Sequence, residues 1–136
     1  MKRIIVFAIL CIALTACELF VIGTKKKPVV EINQNSAIGT VLLFKAKIDS
    51  SNIQDASHII KKQDGTDYLA IEKYDLIDDI ELLSRVIAKK PVTEYMIDTL
   101  SPESCSVKIV FDYIKKYKFE TRKISELWFI TGFKKN

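Results

Sequence analysis

The sequence predicts an α+β fold with helices first and an antiparallel sheet last. Three observations carry this. Apolar residues recur at helical spacing three times between residues 37 and 87, and the period changes to two after Pro91. The chain is 49% hydrophobic and 28% charged, with 4 Gly and 3 Pro, a composition that builds a core and excludes collagenous, low-complexity and disordered classes. A length of 136 residues allows one domain.

Ala37, Val41, Phe44 and Ile48 fall at i, i+4, i+7 and i+11, one face of a helix for which Asn35 or Ser36 supplies the N-cap. Gly39 inside this helix costs about 1 kcal/mol against alanine. Ile53, Ala56 and Ile60 recur at i, i+3 and i+7 and predict a second, shorter helix that stops before Asp64-Gly65. Residues 66–74 fit strand or helix. Asp75 then caps a third helix in which Leu76, Ile80, Leu83 and Ile87 share a face, with Glu81 and Arg85 at i, i+4. Pro91 ends helical continuation.

Residues 92–99 read as a first strand. Cys105, Val107, Ile109, Phe111 and Tyr113 alternate with Ser106, Lys108, Val110, Asp112 and Ile114, and Tyr117, Phe119 and Thr121 alternate with Lys118, Glu120 and Arg122. These are two half-buried strands. Leu127 to Phe133 is apolar at nearly every position, which predicts a last strand covered on both faces. Helices segregated before such a sheet are the α+β pattern.

The N-terminus carries an address. Lys2 and Arg3 precede the apolar run Ile4 to Leu14, the basic and hydrophobic regions of an export signal. The run ends in Leu14-Thr15-Ala16-Cys17, which closely resembles the lipobox of bacterial lipoproteins. The resemblance implies diacylglyceryl transfer to the Cys17 sulfur, cleavage between Ala16 and Cys17, and acylation of the new amino group. Each buried methylene contributes about 0.8 kcal/mol, so two chains or more hold a protein on a membrane where one does not. The alternative is an uncleaved helix spanning residues 4–23. Glu18 interrupts that span near its far end, and Lys25-Lys26-Lys27 weakens the charge asymmetry that would orient it.

On the lipoprotein reading, residues 1–16 are a signal peptide, 17–30 an anchor and tether, and 31–136 the α+β domain. In the enterobacterial sorting pattern an Asp after the cysteine retains a lipoprotein at the inner membrane, and Glu18 at that position favours the outer membrane, facing the periplasm. Removal of the signal takes Lys2 and Arg3 with it and leaves 19 basic against 17 acidic side chains. No nucleic-acid partner follows from so even a balance. With Cys17 acylated, Cys105 has no intramolecular partner, and its alternating apolar setting suits a small buried hydrophobe.

The order of elements is similar to the nuclear-transport-factor-2-like superfamily, in which N-terminal helices rest in a strongly curved antiparallel sheet shaped like a cone. The residues that carry the resemblance are Val107-Lys108-Ile109-Val110-Phe111, then Tyr117-Lys118-Phe119-Glu120-Thr121, then the polar turn Ser125-Glu126 and the short strand Leu127-Trp128-Phe129-Ile130. Lys45-Ala46-Lys47-Ile48-Asp49 resembles the end of the family's first helix. The turn before Trp128 lacks the usual Asp-Gly or Asn-Gly, and Ile114-Lys115-Lys116 joins two strands without Gly or Pro, where a bulge or a bent strand would serve. A different α+β sandwich with the same element order is the rival architecture. The resemblance implies dimerisation through the outer sheet face, giving a homodimer.

Candidate chemistry is thin. His58 is the only histidine, and no Cys, His or carboxylate stands at ligand spacing around it, so no metal site is expected. Asp75, Asp78, Asp79 and Glu81 lack the glycine and register of a calcium loop and read as a solvated helix face. Enzymes of the cone superfamily use Asp, His or Tyr on inward strand positions. Tyr95, Asp98 and Tyr113 are the nearest equivalents by type, although no motif fixes them to a catalytic position. No phosphate loop, nucleophile elbow or Ser/His/Asp set is present, and no cofactor is implied. The leading expectation is a non-enzymatic envelope lipoprotein that binds a small apolar ligand or a partner protein. A small lyase or isomerase with a carboxylate or tyrosine in the cone, and a structural subunit without a pocket, are the alternatives.

Overall fold

The computed structural model describes residues 29–136, so the expected signal peptide, Cys17 and most of the expected tether lie outside the described residues. Three helices precede four strands, as the periodicity predicts: α1 (Ala37–Asp49), α2 (Ile53–Ser57), α3 (Ala70–Ile87), β1 (Val92–Ser101), β2 (Ser104–Phe111), β3 (Lys115–Ile124) and β4 (Leu127–Lys135). The strands form one antiparallel meander in the order β1-β2-β3-β4.

Ser36 starts α1 as its N-cap, its Oγ accepting a 3.1 Å bond from the Gly39 amide. Ala37, Val41, Phe44 and Ile48 are all buried. Gly39 has a reason that local propensity does not reveal. A Cβ there would sit 2.5 Å from the Glu31 carbonyl oxygen and 2.7 Å from that of Asn33, so only glycine lets residues 31–33 cross the first turn so closely. At the far end Ser51 takes a left-handed backbone, φ 59°, while the Ser51 amide donates to the Ile48 carbonyl and the Asn52 amide to that of Lys47. This is a Schellman closure without glycine. Asn52 then caps α2 by accepting from the Asp55 amide at 3.1 Å.

Two helix boundaries differ from expectation. Ile60, placed by spacing on the second helix, lies beyond it, because α2 stops at Ser57 and Ile60 forms a parallel bridge with Ile130. The Lys61 amide donates to the Ile130 carbonyl, and the Ile130 amide to that of Ile59. A tertiary pairing along the free edge of β4 outweighs one more helical turn. The third helix begins at Ala70, so Asp75 is an interior, exposed residue and not its cap. Glu72 sets the start by reaching back to accept from the Leu69 amide at 2.7 Å, half of a capping box whose other half a leucine cannot supply. Leu76, Ile80, Leu83 and Ile87 are buried as the spacing requires.

Cys105, Val107, Ile109 and Phe111 of β2 face the helices together with Phe119 and Thr121 of β3 and Ile130 of β4, and all are buried. Phe44 fills the space between layers, its ring 6.1 Å from that of Phe119 and 6.3 Å from that of Phe133. Truncating such a residue to alanine costs about 3–5 kcal/mol. Bulges between Val92 and Glu94, Thr99 and Ser101, and Glu120 and Thr121 interrupt the ladders and curve the sheet.

Two of the three hairpin turns use left-handed non-glycine residues: Asp112 and Tyr113 between β2 and β3, and Ser125 and Glu126 between β3 and β4. Two successive positive φ values give the twist that flanking strands need. The β2–β3 connection is thus a tight turn at Asp112-Tyr113, with Lys115 and Lys116 already in β3. Only Ile130 of β4 is buried, and Leu127 is 41% exposed. Among the described residues no second layer lies over the strand's outer side, where Lys61 covers the Phe129 ring at 4.9 Å.

Lys45 is buried on α1 and forms a salt bridge with both oxygens of Asp49. Asp49 also accepts from the Lys89 amide at 2.6 Å, beyond the end of α3, where Lys89 is held at φ 59°. One carboxylate therefore neutralises a buried cation and ties two helix ends together.

Candidate functional site

One position where an apolar group can be received is an open cleft of about 430 Å³ between α3 and the ends of β3 and β4. Asp79, Leu82, Leu83 and Val86 lie at i, i+3, i+4 and i+7, so one stripe of α3 forms a wall. Tyr117 and Phe133 form the floor, and Lys134 and Lys135 the rim. Strand pairing sets the floor: Phe133 opposes Phe119, and Lys135 opposes Tyr117. Phe133 also packs on Phe44, making the cleft floor continuous with the core. Leu82 remains 57% exposed and Val86 half-buried. The volume falls within the ~300–1,000 Å³ range of small-molecule sites.

Chemically, this arrangement offers apolar contact with charged groups at its edge. Among the described residues no ion pair involves Asp79, Lys134 or Lys135.

The catalytic candidates do not converge. Tyr95 pairs with Ile109 and is half-buried on the helix side, whereas Asp98 lies on the opposite face of β1 with the Lys108 ammonium at 2.8 Å. Tyr113 is 79% exposed in its turn. His58 is exposed at the end of α2, and Asp75, Asp78, Asp79 and Glu81 are exposed along α3. Cys105 is buried and unpaired with another cysteine among the described residues.

Several carboxyl groups sit below their ordinary pKa, all on the surface. The Lys47 ammonium holds Asp55 down, Thr66 holds Asp64, Lys61 holds Asp67, Lys62 holds Glu72 and Lys123 holds Glu126. Each is explained by a local hydrogen bond or ion pair, which is a structural use of charge. Among the described residues no group of His, Cys, Asp and Glu could hold a metal ion, and no helix is long and apolar enough to cross a membrane.

The cleft was absent from the candidates drawn from sequence. A signal existed: Leu82 and Val86 widen the apolar face of α3 beyond the Leu76, Ile80, Leu83 and Ile87 stripe that the core consumes. In comparisons with known proteins, no family model, curated protein or solved structure matches the chain.

Proposed function

We propose that the chain is a non-enzymatic lipoprotein of the bacterial envelope, anchored through Cys17 on the outer membrane, whose domain takes a small apolar ligand into the cleft between α3 and the β3–β4 ends. The observation that carries the ligand reading is the cleft's uncovered apolar lining, Leu82, Val86 and Phe133, beside an interior that Phe44 and Phe119 already fill. The anchor rests on the lipobox Leu14-Thr15-Ala16-Cys17. The cone architecture of the nuclear-transport-factor-2-like superfamily is part of the same reading, supported by helices that precede a bulged meander and by the Ser125-Glu126 hairpin before Trp128.

Two measurements test it. Inhibition of lipoprotein signal peptidase should accumulate the precursor, and a Cys17→Ala chain should lose acyl mass; normal processing under the inhibitor refutes the anchor. A fluorescent apolar probe such as anilinonaphthalene sulfonate should bind saturably to the intact chain. Val86→Glu should weaken that binding at least about tenfold by putting a charge of the probe's own sign on the apolar wall, while Leu127→Glu at the far end of β4 leaves it unchanged. Equal binding by all three proteins removes the cleft as the ligand site.

A further inference from the structure

We propose that the end of the domain built around the β2–β3 turn docks on an anionic phospholipid surface, Tyr113 and Ile114 entering the headgroup layer and the lysines around them meeting lipid phosphates. Topology gathers this end from three places in the chain. β2 finishes at Phe111, and β3 starts opposite it at Lys115. β4 finishes beside them, with Lys135 opposing Tyr117 and the Asn136 amide donating to the Lys116 carbonyl at 2.9 Å. The segment that follows α3 joins them, because the Asp112 amide donates to the Pro91 carbonyl at 3.0 Å. Lys89, Lys90, Lys115, Lys116, Lys134 and Lys135 are thereby collected around one turn.

Charge and shape both select a lipid surface. Among the described residues none of these six lysines takes part in an ion pair. The carboxylates nearest them are those of Glu94, Asp112 and, across the cleft, Asp79, while Asp49 at the Lys89 amide is neutralised by Lys45. An excess of positive charge remains. The tip itself is apolar where turns are ordinarily polar: Tyr113 is 79% and Ile114 73% exposed, held out by a turn with φ 51° and 60° at Asp112 and Tyr113. An acidic peptide or polymer would satisfy the lysines and leave Ile114 in water. A lipid surface takes both, with ammonium groups at the phosphates and the apolar pair beneath them, the tyrosine ring at the interface. The other exposed apolar cluster, Leu69, Ile71 and Tyr74, lies among Glu72, Asp75 and Asp78 and carries the wrong charge for such a surface. Docking does not require the Cys17 anchor and is compatible with it: the 11 residues between Cys17 and Val29 reach about 40 Å when extended, against about 30 Å for the length of a ten-residue strand.

Quenching by brominated lipid, measured on the full-length chain in vesicles, tests the docking. The single tryptophan, Trp128, stands at the opposite end of the sheet and serves as reference; Ile114→Trp adds a second at the turn. With brominated phosphatidylcholine and phosphatidylglycerol mixed, the added emission should fall at least about twofold, and that of Trp128 in the unaltered chain should change little. Brominated phosphatidylcholine alone, or about 1 M salt, which screens charges beyond about 3 Å, should remove the quenching. Each lysine near an anionic surface raises docking about fivefold, so Lys115→Gln with Lys116→Gln should lower the ratio of docked to free domains about 25-fold and leave the far-ultraviolet dichroism intact. Amine-reactive labelling of Lys116 in the unaltered chain should slow at least about fivefold when phosphatidylglycerol is added, and that of Lys123 at the far end should not. Tip quenching that is absent, equal without phosphatidylglycerol, retained in the double variant or at high salt, or matched by Trp128 or by Ile71→Trp overturns the proposal, as does labelling of Lys116 that ignores the lipid.

Discussion

Replacing Gly39 with alanine sets two effects against each other. Helix propensity favours the substitution by about 1 kcal/mol, and a judgement from the isolated helix would end there. The close approach of residues 31–33 opposes it. The new Cβ lies 2.5 and 2.7 Å from two carbonyl oxygens and 2.8 Å from Ser36 Oγ, and two of these three atoms belong to backbone that cannot rotate away. If the segment moves out, it strains the paired bonds between Gln34 and Trp128, at 2.8 and 2.9 Å, each contributing about 1 kcal/mol. Displacing Ser36 also weakens a cap that contributes about 1 kcal/mol. The net expectation is a loss of about 2 kcal/mol, or on the order of 10 °C in Tm. Urea titration of the intact chain in mild detergent reads it, with Gly132→Ala as the control. There the added Cβ meets only Glu120 Oε2 at 3.7 Å, so the change should stay within about 0.5 kcal/mol. A Gly39→Ala chain as stable as the parent, or more so, refutes the close-approach account.

Other substitutions probe the charged contacts. Asp49→Ala strands the buried Lys45 ammonium and frees the Lys89 amide; breaking a fully buried pair costs about 3–5 kcal/mol, and with the Asp49 side chain 37% exposed the loss should be about 2 kcal/mol. A Lys45→Met, Asp49→Ala double variant should recover part of it, and failure to do so in denaturant titration would show that the Lys89 link dominates. Glu72 bonds the Lys62 ammonium and the Leu69 amide, both of which hold its carboxyl below the ordinary 4.5. Its contribution is therefore present above pH 4.5 and lost as pH falls through the lower folded value. Glu72→Gln should lower Tm at pH 7, by an amount that shrinks as pH falls below 4.5, and a deficit that does not change with pH would exclude a charge-dependent role.

Local patterns carried most of the element order, because one buried face per helix and one per strand leave a period that survives in the chain. The misplaced boundaries had causes elsewhere in the molecule. Ile60 satisfies the spacing of a helix yet pairs with a residue seventy positions away, and α3 starts where a glutamate folds back to an uncapped leucine. The turns at Asp112-Tyr113 and Ser125-Glu126 lack glycine, so their left-handed backbone is imposed by the strands they join. Of the proposed functional positions, Cys17 is legible because the lipobox it would belong to is a linear motif. The cleft is not, since Val86 and Phe133 meet only when the helix crosses the sheet.

The Gln34–Trp128 pair has a mechanical meaning. It joins the stretch before α1 to the start of the last strand, and both of its hydrogen bonds link the same two residues. Tension drawn on the domain from Val29 reaches β4 at this clasp before it reaches α1. A chain held at its N-terminal side by a lipid would thus be loaded at a latch between its first and last segments, and the sheet would feel the pull through Trp128.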